Sequence, residues 1–116
     1  MILESIPSEE SFVERVCFSF EIRPGTEAEY KKRHDEIWPE LVAAIKAAGQ
    51  SNYSLFRHGT TIVGYVECEP DAATSWARIA STDVNTRWQK WFADIIVSLT
   101  DEHGQVKQLE EVWHLD

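Results

Sequence analysis

The chain holds 116 residues, 43% of them apolar and 27% charged, with a net charge of −9. This is the makeup of one ordinary globular domain, large enough to build a core without staples. So acidic a chain has no basic patch with which to displace counterions from nucleic acid or meet an anionic membrane, and phosphorylated substrates are disfavoured for the same reason.

Residues 1–12 carry Glu4, Pro7, Glu9 and Glu10 without any period, so they are expected to be a loose arm ahead of a single domain over 13–116. That start lacks the basic leader of a signal peptide, and no apolar run has the length of a membrane span. A cytoplasmic protein is expected.

From Arg15 the pattern turns strand-like, with Val16, Phe18, Phe20 and Ile22 alternating with Cys17, Ser19 and Glu21. Pro24-Gly25 ends that strand, and Thr26 is placed to cap a helix beginning near Glu27. Trp38-Pro39 must interrupt it, because proline pushes the preceding residue out of helical geometry and cannot donate a backbone bond. The prediction is a helix to about His34, a break, and a second helix from Pro39 to Gly49. Asn52 to His58 and Thr61 to Glu69 read as two strands joined by a hairpin turn. Ala72 to Ala80 reads as a short helix. A longer one is capped by Ser81, Thr82 or Asp83 and runs to about Leu99, with Val84, Trp88, Trp91, Phe92 and Ile95 on one side. After a polar loop over Asp101 to Gly104, a last strand spans Lys107 to Leu115.

The order βαββαβ predicts an α+β, ferredoxin-like sandwich, an antiparallel sheet with its helices on one face. Aromatic residues in the strands make the other face too apolar for water, so two copies should pack there, sheet to sheet, as a homodimer. Cys17 and Cys68 lie in strand-like runs and read as small buried hydrophobes, neither a disulfide framework nor a metal site. No metal is expected.

The segment with most chemistry is Tyr30-Lys-Lys-Arg-His34-Asp-Glu-Ile-Trp38-Pro39-Glu40. Four residues apart on a helix, Tyr30 and His34 share a face, and histidine is the side chain best suited to move protons near neutral pH. Pattern alone favours a half-buried surface pair. The helix break beside His34 shifts the balance, because it can aim side chains into a cleft. Five tryptophans are many for this length, and flat rings suit the C–H faces of a sugar, with amides and carboxylates for its hydroxyls. His58, His103 and His114 fall in a turn, an acidic loop and a strand end, where surface roles are expected.

Taken together, Tyr30-x-x-x-His34-x-x-Ile37-Trp38-Pro39-Glu40-Leu41, Asn52-Tyr53, Ala80-Ser-Thr-Asp83-Val84 with Arg87-Trp88, and Leu109-x-Glu111-Val112 resemble the L-rhamnose mutarotase family over about Arg15 to Leu115. The resemblance implies a cofactor-free isomerase, a dimeric α+β barrel exchanging the α and β anomers of a neutral monosaccharide. It implies His34 as the proton donor, with Tyr30, Tyr53 and the pair Trp88-Gln89 as sugar contacts. In that family an aromatic pair matches Trp88-Gln89; here Gln89 puts an amide where a second ring is expected. L-Rhamnose or a related 6-deoxyhexose is therefore the expected substrate.

Under this reading His34 protonates the ring oxygen as the ring opens, and Asp83 or Glu111 is the candidate complementary base. Two rival readings share the scaffold. One is a small dimeric barrel monooxygenase, which would take an aromatic ligand. The other is a sugar-binding dimer without catalysis, which would have no need of a histidine beside a tyrosine at a helix break.

Overall fold

In the computed structural model, residues 12–99 and 106–116 are described. Nearly all of the expected arm, the loop over Asp101 to Gly104 and His103 lie outside them. Among the described residues five strands and four α-helices make an α+β fold: β1 (Glu14–Ile22), α1 (Glu27–Asp35), α2 (Pro39–Ala47), β2 (Gln50–His58), β3 (Thr61–Cys68), α3 (Ala72–Ala80), α4 (Asp83–Trp91), β4 (Ile96–Ser98) and β5 (Lys107–Leu109). No described helix is long and apolar enough to cross a membrane.

The sheet is antiparallel in the order β2-β3-β1-β4, with β5 also paired to β1. Its centre obeys the period-2 rule: Val16, Phe18, Phe20 and Ile22 of β1 and Ile62, Val66 and Cys68 of β3 are buried on one face. Each large side chain so buried contributes about 1.5–3 kcal/mol. Phe18 stands opposite Gly64, where a methyl group would come within 2.7 Å of three Phe18 ring carbons. That glycine leaves room for the ring.

Helix boundaries follow local chemistry. Trp38 occupies the cap position of α2 in extended geometry, with Pro39 at the first turn, so the expected break falls over 36–38. Thr82 caps α4 by accepting from the Asn85 amide, and Asp71 caps α3 by accepting from Thr74. Thr26 precedes α1, but its hydroxyl donates to the Arg23 carbonyl instead of capping.

Two expected elements are shorter than the pattern suggested. The last long helix ends at Trp91, passes through a 3-10 turn at Phe92–Asp94 and gives way to β4. The reason is the β-branched run Ile95-Ile96-Val97, which fits the pleated edge of β1: Ile22 pairs with Ile96, and the Arg23 amide donates to the Ile95 carbonyl at 2.8 Å. The final strand covers only Lys107–Leu109, and 110–116 carry no regular structure, with Val112, Trp113 and Leu115 exposed. The single last strand of the simple scheme is thus two short ones sharing the edge of β1. Cys68 is buried as expected, whereas Cys17 is half-buried; both are free thiols.

Arg33 ties α1 to the turn after α4. It is 8% exposed, donates to Glu29, Asp94 and the Trp91 carbonyl, and lies 4.7 Å over the Trp91 ring. A buried guanidinium needs such full pairing. His34 is its neighbour on the helix, so the same clamp sets where His34 stands.

Candidate active site

Between the sheet and the helices lie two adjoining cavity lobes, about 350 Å³ and about 550 Å³, that share much of their lining. His34, Tyr53, Trp76, Asn85, Trp88 and Gln89 line both, and Tyr30 lines the first. All five residues singled out from sequence therefore meet at one place, although they come from α1, β2 and α4.

His34 lies one helical turn from Tyr30, with ring centres 4.4 Å apart. Its other ring neighbours are Phe92 at 5.1 Å and Trp88 at 5.4 Å, both edge-on. The helix break lays Trp38 edge-on to Trp88 and stacks it on Trp91 at 5.4 Å, so these rings support one another behind the histidine.

The imidazole is polarised in a defined way. Its Nδ1 lies 3.0 Å from the Tyr30 carbonyl oxygen. A carbonyl only accepts, so Nδ1 carries the hydrogen and Nε2 is left for other partners. Burial pushes the His34 pKa below its ordinary 6.5, opposed by that carbonyl and by Asp35. At neutral pH the ring is thus neutral, with the Nε2 lone pair available.

Tyr30 is 6% exposed. Burial raises its pKa, and proximity to Tyr53 raises it further. Tyr53 is raised as well, by burial of its hydroxyl first and Cys68 second. Both phenols keep their protons at neutral pH and can donate to a bound hydroxyl.

Tyr53 reaches the cavity through a local irregularity. The β2–β3 register shifts between Ser51 and Ser54, and Asn52 takes φ 48°, the left-handed region that asparagine tolerates better than most residues. Its side-chain amide donates to Glu67 at 2.8 Å. The bulge turns Tyr53 onto the helix side of the sheet, edge-on to Phe18 at 6.2 Å.

Neither carboxylate considered as a partner base belongs to this cavity. Asp83 is exposed and held by Arg87 at 2.8 Å, an arginine that also bridges to Glu40 of α2. Glu111 pairs with Arg15 at the surface. Both are drawn away by arginines that a linear reading does not connect to them. His58 and His114 line neither lobe; His114 bonds to Asp116 at 2.8 Å. Among the described residues, no group of histidines, cysteines and carboxylates is arranged to hold a metal ion.

Asn85, Trp76 and Gln50 also line the cavity, and none of them stands out in the sequence as a site residue. Asn85 lies one helical turn before Gln89, so the i, i+4 rule would have found it once Gln89 was chosen. Trp76 sits beside the buried Ala72, Ser75 and Ile79 of α3, a position that reads simply as core. Gln50, buried at 3% exposure, lines the second lobe; its sequence context, next to a glycine, carries no signal.

The chain is similar to known proteins over most of its length. The family model for L-rhamnose mutarotase matches residues 15–115. L-rhamnose mutarotase of Opitutus terrae is 43% identical over 104 residues, covering 88% of this chain and 98% of that protein. The protein of the same name from Oceanobacillus iheyensis is 36% identical, covering 90% and 100%. The crystal structure of L-rhamnose mutarotase from Formosa agariphila superimposes with a TM-score of 0.72 at 28% identity, covering 89% of this chain and 99% of that one.

Proposed function

Because the chain belongs to the L-rhamnose mutarotase family, we propose that it exchanges the α and β anomers of L-rhamnose, with His34 moving the proton. The observation that carries the mechanism is the imidazole itself: Nδ1 is engaged by the Tyr30 carbonyl and Nε2 is available beside an aromatic cavity.

Opening the pyranose ring requires a proton to leave the anomeric hydroxyl and a proton to reach the ring oxygen. These two oxygens share one carbon, so a single nitrogen can serve both in turn. Neutral His34 takes the anomeric proton through Nε2 and becomes an imidazolium. It then returns the proton to the ring oxygen as the bond from that oxygen to the anomeric carbon breaks, leaving an open-chain aldehyde and a hydroxyl. Rotation about the bond to the next carbon exposes the aldehyde's other face. The same steps in reverse close the ring as the opposite anomer. No separate carboxylate base is needed, which suits the diversion of Asp83 and Glu111 into surface ion pairs.

In the proposal Tyr30 and Tyr53 donate to the sugar, Trp88 walls its C–H face and Gln89 contacts a hydroxyl. The reaction already runs in water, so positioning and modest acid–base help suffice. Saturation-transfer NMR on the anomeric protons tests the reading. Exchange of L-rhamnose above the buffer rate supports it, and a folded protein that leaves the rate unchanged refutes it.

We further propose that the fold is one half of a ferredoxin-like dimeric barrel, with residues 13–116 as its single domain. Support comes from the sheet face opposite the helices, where Phe56 is 63% and Leu109 47% exposed. Apolar side chains on a bare sheet face call for a cover, and a second copy is the symmetric solution. A cytoplasmic location belongs to the same proposal, supported by two free thiols.

A further inference from the structure

The two lobes differ in character. Beyond their shared residues, the first is walled by Phe18, Phe20, Phe92 and Leu99, and the second carries Lys46, Gln50 and Ser51 next to the apolar side of α2. A 6-deoxyhexose has the same asymmetry, with a methyl group next to the ring oxygen and hydroxyls along the edge remote from it.

Gln50 is the unusual member of the second lobe. It is only 3% exposed, yet its Nε2 has no hydrogen-bond partner among the described residues. A buried amide left unpaired is costly and rare in a folded chain. Nε2 itself is enclosed, so the side chain must turn to bring an end of its amide into the lobe, where a sugar hydroxyl, which both gives and accepts, can pair with either end.

We propose that the second lobe is a hydroxyl-reading subsite anchored by Gln50, which makes Gln50 a specificity-determining residue of this chain. The inference rests on the mutarotase reading and deepens it. The sugar sits with its methyl corner toward Phe18 and Phe20, its anomeric centre at His34, and its far hydroxyl edge along Gln50 and Asn85. Asn85 lines both lobes.

The test compares wild type with Gln50→Leu and Gln50→Met by saturation-transfer NMR, using L-rhamnose and its analogues lacking one hydroxyl at C2, C3 or C4. Gln50→Met preserves side-chain length, so it guards against a packing defect in the leucine variant. The expected result is a KM for L-rhamnose raised about tenfold with kcat little changed, as for loss of one hydrogen bond made equally in ground and transition states. One deoxy analogue should be indifferent to the substitution, and that analogue identifies the hydroxyl read. Thermal melting adds a second readout: removing an unpaired buried amide should leave the free protein as stable or more so. Unchanged KM for every sugar, or a clear fall in melting temperature in both variants, overturns the proposal. Wild-type exchange of L-rhamnose reports separately on the mutarotase reading. If wild type binds sugar without exchanging anomers, the same comparison is read from Kd by calorimetry; absence of both binding and exchange overturns both.

Discussion

Replacing His34 by alanine removes the one nitrogen assigned to both proton transfers. General acid–base help of this kind contributes about 10²–10⁴-fold, equal to roughly 3–5 kcal/mol of barrier at 1.36 kcal/mol per tenfold. His34→Ala should therefore bring protein-dependent exchange at pH 7 down by two or more orders of magnitude, with the residue of catalysis coming from positioning alone. The structural cost is separable. The lost ring leaves contacts with Tyr30, Trp88 and Phe92, and His34→Gln keeps part of that volume, so both variants should fold but neither should catalyse. Wild-type activity should also report the neutral imidazole. Burial lowers the His34 pKa from 6.5, so the base form is present at pH 7, and activity falls as pH drops through the lowered value. The stability sign is the same, because a site that disfavours the charged form loses stability between pH 6.5 and the folded pKa as acid is added. Saturation transfer on the anomeric protons, with the buffer rate subtracted at each pH, measures all of this. A folded His34→Ala protein within about twofold of wild type would refute the reasoning, as would wild-type activity that rises on acidification below pH 6.

Gly64→Ala places a methyl within 2.7 Å of the Phe18 ring and should cost about 1–3 kcal/mol by overpacking, visible as a melting temperature lowered by several degrees. The displaced Phe18 should also raise KM for the sugar. Asn52→Ala loses the bond to Glu67 and puts a less tolerant residue at φ 48°, costing about 1–2 kcal/mol; Asn52→Gly, which accepts that φ, should recover much of the stability, and denaturant titration of both tests this. Phe56→Glu puts a charge on the exposed sheet face. Light scattering should find wild type as a dimer and this variant as a monomer.

Local rules made much of the molecule legible. The break at Trp38-Pro39, the stop at Gly49 and the hairpin at Gly59 follow from what proline and glycine permit one residue at a time, and the burial of β1 follows from alternation. The i, i+4 spacing of Tyr30 and His34 is a property of helix geometry, and the ordered family motifs identified the chain over nearly its whole length. These features depend only on neighbours in sequence.

What tertiary structure decided depends on partners far along the chain. The helix after Thr82 ended at Trp91 because the edge of β1 offered Ile96 a ladder, and a helical pattern cannot register such an offer. Asp83 and Glu111 left the list of bases because Arg87 and Arg15 reached them first, and Tyr53 faces the cavity because a bulge at Asn52 leans on Glu67. Gln50 and Trp76 joined the site through the meeting of α2, β2 and α3. Periodicity reports which side of an element is buried; what lies across from it is set by long-range packing, and a cavity is made entirely of such encounters.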